Sequence, residues 1–268
     1  LPKESFVAFS TRRLAAPRLA WLNGSKLSAE DAVAHTYCMP LAHESSENYL
    51  SDNRTQFADR YGGIGVGYCG GSARCGILGE IQIKGVGKNQ LHGSKPGTAP
   101  EHWHSSGTLN IVEAGREAIW STICNSVLPH GAVPALAIVL TGTRASASCV
   151  IAGREQAPLR ALLLRSPALR PAHFLRNVHF DTANPPNVAT CSDTLRTSAA
   201  INQLAMAFTK AFGLKSSGAS STTTINEGLI GMARRFAAQI AASFAKRTFH
   251  GGLCCSNIAL DGRFLDFG

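Results

Sequence analysis

Residues 250–268 read HGGLCCSNIALDGRFLDFG, from His250 to Gly268, and this stretch decides how the rest of the chain is read. Two polar residues, Asn257 and Asp266, bracket a short apolar run (Ile258 to Leu260), the dipeptide Asp261-Gly262 and a second apolar pair, Phe264-Leu265. Asp-Gly between two apolar runs is a hairpin signal, because glycine accepts the positive φ that a tight turn demands. Such a hairpin returns Asp266 to the neighbourhood of Asn257, so that an amide oxygen and a carboxylate converge. Two oxygens so placed suit a divalent cation held against the phosphates of a nucleotide. Asp-Phe-Gly alone is a common tripeptide. Preceded nine residues earlier by Asn257, and before that by a helix and a His-Gly turn, it is far more specific.

The bulk numbers are compatible with that reading. A chain of 268 residues with 44% apolar content can bury a sizeable core, as one large domain or two lobes. Only 16% of residues are charged, yet the formal balance is +9, which points either to a polyanionic ligand or to a basic surface with no dedicated partner. No run of Lys and Arg exceeds two residues, which argues against nucleic acid as that ligand. Eight cysteines include no Cys-x-x-Cys pair, so a zinc site is not expected and free thiols in a reducing, cytoplasmic compartment are. No apolar run approaches the roughly 20 residues of a membrane span. The first residue is Leu1, with no signal-peptide pattern after it, so a trimmed or processed product is expected.

Upstream, the opening segment through Pro17 to Asn23 is too irregular to assign an element, and residues 24–60 are polar and mixed, with a helix start capped by Ser28. The composition then changes: Tyr61 to Gly79 is glycine-rich, and glycine lets backbone N–H groups approach phosphate closely. Glu80 to Gly85 alternates as a strand should, placing Glu80, Gln82 and Lys84 on one face. Residues 88–107 form a polar loop in which His92, His102 and His104 lack convincing metal-ligand spacing. Apolar periodicity resumes at Leu109 and predicts a helix to about Pro129 carrying Glu113, Arg116 and Glu117. The two glutamates are four apart on one face, so periodicity does not choose between them as a partner for Lys84. Val133–Leu140 and Leu159–Leu164 read as buried strands, the second running into Arg165 and Arg170. Two arginines there suit phosphate oxygens, or surface salt bridges. After a loop at 181–193 containing Pro185-Pro186, helices are expected at about 195–213 and 227–247, joined by a flexible Ser/Thr/Gly/Ala connection over 216–224. The second is expected to be capped by Asn226 and to bury Leu229, Met232, Phe236, Ile240 and Phe244.

A glycine-rich turn, a strand lysine, a helix carboxylate and an Asn…Asp-Phe-Gly ending together are the arrangement of protein-kinase-like folds. The chain resembles, more narrowly, the selenoprotein O family of protein adenylyltransferases. The matching segments are Pro17-Arg-Leu-Ala-Trp21, Tyr61 with its glycines, Glu80-Ile-Gln-Ile-Lys-Gly-Val-Gly87, Arg116-Glu117 and the strand within Gly131–Gly142. Arg165 with Arg170 ahead of His173-Phe174, Ala233-Arg234-Arg235, and the stretch from His250 to Gly268 complete the series. They occur in the family's order and cover nearly the whole chain.

The resemblance implies an α+β, two-lobed, protein-kinase-like fold. Residues 1–169 would form an N-terminal lobe of antiparallel sheet plus helix, and 170–268 a helical C-terminal lobe cut short after Asp-Phe-Gly. It implies Mg-ATP (or Mn²⁺ in place of Mg²⁺) bound with its α-phosphate toward the acceptor, and AMP transferred to a Ser, Thr or Tyr hydroxyl of a protein or peptide. Lys84 would hold phosphates and pair with Glu117. Gly71, Arg74, Arg165 and Arg170 would bind the nucleotide, and Asn257 and Asp266 the metal. The compartment implied is the cytoplasm, or the mitochondrion in a eukaryote.

Four departures bear on this. Ser256 stands at the catalytic position where the family has a proton-accepting aspartate; a general base contributes about 10²- to 10⁴-fold in rate. Gly71-Ser72-Ala73-Arg74 lacks the family's loop acid, and the Arg165–Arg170 spacing is shorter than the family's. The family continues past Asp-Phe-Gly, so the chain is expected to be part of a longer protein or to pair with a second chain. A nucleotide-binding pseudoenzyme acting as a regulatory module, and a phosphotransferase, are the alternative readings.

Overall fold

The structure, a computed structural model, describes residues 1–64, 66, 68–93, 106–145, 149–151, 154–178, 192–213 and 220–267. His102, His104, the Pro185-Pro186 loop, residues 216–219 of the 216–224 connection and Gly268 lie outside the described residues.

The strands are β1 (Phe6–Leu14), β2 (Arg18–Leu22), β3 (Tyr37–Cys38), β4 (Tyr49–Asp59), β5 (Cys75–Leu78), β6 (Ile81–Lys84), β7 (Leu109–Asn110), β8 (Ala135–Arg144), β9 (Cys149–Ile151), β10 (Arg154–Gln156) and β11 (Leu159–Arg165). The helices are α1 (Ala29–Ala34), α2 (Ile111–Val127), α3 (Asp193–Asn202), α4 (Leu204–Phe212) and α5 (Ser221–Ala245). Nine strands form one antiparallel sheet in the order β2-β8-β11-β6-β5-β4-β1-β3, with β7 alongside β11. β9 and β10 make a separate hairpin. The class is therefore α+β, with the sheet ending at Arg165 and the helices α3 to α5 following it.

The apolar runs of β8 and β11 are continuous because both faces of the sheet are covered. Leu162, Leu164, Ala137 and Val139 face one core with Ile83, Val7 and Phe9. Ala161, Leu163, Ile138 and Leu140 face a second core under α2. Period-two alternation then fixes the polar side chains of β6. Ile81 and Ile83 belong to the first core, so Gln82 and Lys84 emerge on the α2 face, where the register sets Gln82 opposite Arg165 and Lys84 opposite Leu163.

Three sequence expectations need correction. The opening segment forms strands β1 and β2, and 49–59 forms the long strand β4, paired with β1 from Phe6↔Asp59 to Leu14↔Tyr49. Their alternation is disguised because two inward positions are polar: Gln56 donates to Thr11 Oγ1 at 3.1 Å and to the Tyr37 carbonyl at 3.0 Å. Second, the region expected as one helix over 195–213 is two, breaking at Gln203, and α5 begins at Ser220, whose hydroxyl accepts from Thr223 N–H, rather than at Asn226. Third, the stripe expected on α5 is inside only in part: Met232 and Phe236 pack against the cores, while Leu229, Ile240 and Phe244 are exposed, Phe244 by 83%. The buried positions of α5 are Gly228, Gln239 and Ser243. Gly228 lies against the Phe208 ring, where a Cβ would come within 2.2 Å of Cγ. Gln239 donates to the Gly131 carbonyl at 2.6 Å and accepts from His130 N–H at 3.0 Å.

Candidate functional site

The turn expected at Asp261-Gly262 is present. Gly262, at φ +90°, donates to the Ala259 carbonyl at 2.9 Å, and Leu265 N–H donates to the Asn257 carbonyl at 3.1 Å. Phe264 bridges both to Ile258 and, in parallel, to Ala132, so the hairpin is anchored beside the loop before β8. His250 closes it from behind, with Nε2 at 2.8 Å from the Leu265 carbonyl and its ring edge-on to Phe264. The chain then bends sharply at Asp266, which has φ 59°, an uncommon backbone state for a non-glycine residue. That bend aims the carboxylate at three cations.

Asp266 Oδ1 accepts from Lys84 Nζ at 2.6 Å and from Arg165 Nη1 at 2.7 Å, while Oδ2 accepts from Arg170 Nη1 at 3.0 Å. Burial alone would raise this carboxyl, but Arg165, Lys84 and Arg170 outweigh it and hold its pKa well below the ordinary carboxylate value. Lys84 also bonds Glu117, and Arg165 Nη1 reaches the second Glu117 oxygen at 3.4 Å. The choice that periodicity left open is thus made by position along α2. Glu117 sits one turn in, over β6, whereas Glu113 closes the capping box with Asn110 and lies 3.8 Å from Arg74.

These groups line a cleft of about 370 Å³ together with the segment Gly71-Ser72-Ala73-Arg74. Gly71 has to be glycine: its φ is +147°, and a Cβ would stand 2.2 Å from the Asp59 carbonyl oxygen. Four cations (Arg74, Lys84, Arg116 and Arg165) and three carboxylates (Glu113, Glu117 and Asp266) share this lining, an excess of one positive charge. Asn257 and His92 also line it.

Two expected site residues are placed differently. Arg170 is 1% exposed and lies beneath Asp266, outside the cleft lining, so it supports the carboxylate rather than facing a ligand. Its Nη1 also donates to the Ser256 carbonyl at 2.7 Å, and its guanidinium stands over the Tyr61 ring at 5.1 Å. Neither Nε nor Nη2 has a hydrogen-bond partner, leaving the ring as their neighbour. The alternative of surface salt bridges fails for Arg165 and Arg170, both of which are buried. Ser256 is buried too, its hydroxyl donating within its own loop to Asn257 Oδ1 at 3.2 Å.

Asn257 Nδ2 donates to the Gly252 carbonyl at 2.7 Å, which turns Oδ1 away from that carbonyl. No group of three or more His, Cys, Asp or Glu side chains suited to a metal occurs among the described residues. One amide oxygen and one carboxylate fit Mg²⁺ only when phosphate oxygens and water complete its six ligands.

Sequence reasoning missed the layer behind this network. Asp59, Gln82 and His173 are buried and mutually hydrogen-bonded, and Asp59 lies at the end of a strand that was not foreseen. The alternation that put Gln82 beside Lys84 was the one available signal. In comparisons of the sequence with known proteins, no family model matches the chain and no curated protein does.

Proposed function

We propose that this chain binds Mg-ATP in the cleft and transfers AMP to a hydroxyl of a protein or peptide, the activity of the selenoprotein O family that its motifs resemble. The observation that carries the reading is the meeting of Lys84, Arg165, Glu117 and Asp266 in one cleft with a glycine-bearing segment. The order of parts, from glycine stretch to strand lysine to helix glutamate, with two sheet strands following, supports a kinase-like, two-lobed arrangement. Asp266 shares one negative charge between Lys84 and Arg165. A triphosphate carries more negative charge than one carboxylate, so its oxygens can replace Asp266 on those cations. Asp266 and Asn257 are then the side chains that would hold the divalent ion, Mg²⁺ or Mn²⁺, which neutralises charge on the phosphates.

In the proposed reaction the acceptor hydroxyl oxygen bonds to the α-phosphorus, the bond from that phosphorus to the bridging oxygen breaks, and pyrophosphate leaves. The hydroxyl proton passes to solvent or to the departing pyrophosphate, because a serine hydroxyl at position 256 is not a base at neutral pH. Positioning and charge stabilisation supply the catalysis. Incubation with ATP labelled at the α or the γ phosphate tests this. Transfer of the α label to protein supports adenylylation; transfer of the γ label alone would replace it with phosphorylation. Ser256 favours a second reading, a nucleotide-binding regulatory module, which predicts ATP binding with neither label transferred.

A further inference from the structure

Arg165 and Arg170 reach Asp266 from the same side, and both are gripped from behind by one chain of buried hydrogen bonds. Arg165 Nε donates to Gln82 Oε1 at 2.8 Å, and the Gln82 amide donates to Asp59 Oδ1 at 3.3 Å. Asp59 Oδ2 meets His173 Nε2 at 2.9 Å, and His173 Nδ1 meets the Arg170 backbone N–H at 2.9 Å. The three middle residues are each exposed by 2% or less.

Donor and acceptor chemistry fixes every orientation in this chain. A backbone N–H only donates, so His173 Nδ1 is the acceptor and the ring proton is on Nε2, directed at Asp59. Burial lowers the His173 pKa, consistent with a neutral ring. Burial would raise Asp59, but the hydrogen bond from His173 and the charge of Arg170 hold it far below the ordinary carboxylate value, so it stays an acceptor on both oxygens. Arg165 Nε–H only donates, so Gln82 presents oxygen to it and nitrogen to Asp59. A guanidinium held at Nε has its plane set, which leaves Nη1 directed at Asp266 and Glu117.

We infer that Asp59, Gln82 and His173 are positioning residues that orient Arg165 for the phosphates of the bound nucleotide and hold Arg170 beneath Asp266. This rests on the triphosphate reading above. Asp59→Asn tests it, because the introduced amide must present its oxygen to His173 and its NH₂ to Gln82. The Gln82 amide then turns and meets Arg165 Nε–H with its own NH₂. Adding Gln82→Glu restores a complete set, with the new carboxylate accepting both from Arg165 and from the amide introduced at position 59.

For folded proteins, as judged by thermal melting, we expect Asp59→Asn to weaken ATP binding about tenfold, the effect of one misdirected buried hydrogen bond, with adenosine binding unchanged. The Asp59→Asn/Gln82→Glu protein should regain the lost affinity. Gln82→Met, which keeps side-chain volume and removes the acceptor, serves if Asp59→Asn does not fold and should show the same selective loss. Solvent exchange of the Arg165 Nε–H resonance, followed by NMR without nucleotide, gives a second readout. It should be slow in the wild type, fast in Asp59→Asn or Gln82→Met, and slow again in the double variant. Slow exchange in every folded variant, or an equal loss of ATP and adenosine binding, would overturn the inference. A wild type that binds no ATP would instead overturn the functional reading, while the exchange rates still decide whether the chain positions Arg165.

Discussion

At the scale of residues, the site is a set of ionisable groups whose charges are fixed by burial and by one another. Removing one partner from such a network leaves the others uncompensated, so its members tolerate change poorly. Two pairs of groups lose their contribution to stability in successive pH ranges as the pH falls. Asp59 and Asp266 have depressed pKa values, so their contribution is complete above the ordinary carboxylate value of about 3.9 and is lost only as pH falls below it. His173 and His250 are lowered chiefly by burial, so the unfolded chain takes up their protons first and stability begins to fall below about pH 6.5. The urea midpoint should therefore drop between pH 7.5 and pH 5. In His173→Gln the slope should shrink by up to about 1.4 kcal/mol per pH unit, the linkage of one proton. An unchanged slope would mean that His173 is charged in the folded protein. Lys84, Glu117 and Asp266 were legible because motifs bring them together. Asp59 was not, since it stands in a segment read as polar and mixed and its histidine partner, named only as part of a motif, lies 114 positions away.

Elements were legible where local chemistry and tertiary demand agree. α2 was read from its apolar periodicity and the tail hairpin from its Asp-Gly turn, whereas the Asn110–Glu113 capping box of α2 was not read. β1 and β4 were not legible, because Thr11 and Gln56 occupy inward positions and are satisfied by each other and by the Arg54 and Tyr37 carbonyls. α5 misled in part: Met232 and Phe236 pack as their spacing suggests, but Leu229, Ile240 and Phe244 are exposed and the buried positions are Gly228, Gln239 and Ser243. Two glycine substitutions separate these effects. Gly262→Ala forces a Cβ into a residue at φ +90°, with Arg235 Cβ and the His130 ring 3.1 Å away. It should destabilise by more than about 1 kcal/mol, because alanine cannot adopt that turn without strain. Gly115→Ala, inside α2 with nothing within 4 Å of the new Cβ, should stabilise by about 0.5–1 kcal/mol. Equilibrium denaturation in urea measures both, and the opposite signs are the check.

For the whole molecule, the sheet ends where the site begins. β11 delivers Arg165, the next five residues cross to Arg170, and the hairpin after α5 brings Asp266 back against both. The α+β class and the convergence on one cleft were legible because the motifs retain their order. How the helices after β11 pack was only partly legible, because Met232 and Phe236 follow apolar periodicity while the contacts of Gly228 with Phe208 and of Gln239 with Gly131 do not. On the outer side, Phe244 and Phe249 are more than four-fifths exposed, so these two aromatics stabilise nothing within the described fold. The central claim is that the cleft's cations exist to hold phosphates. Calorimetric titration with Mg-ATP, AMP and adenosine, on the wild type and on folded Lys84→Met protein, tests it most directly. The account predicts that ATP binds at least about tenfold more tightly than adenosine, the equivalent of about 1.4 kcal/mol, and that Lys84→Met removes this advantage. Equal affinity for ATP and adenosine, or an undiminished preference for ATP in Lys84→Met, would contradict it.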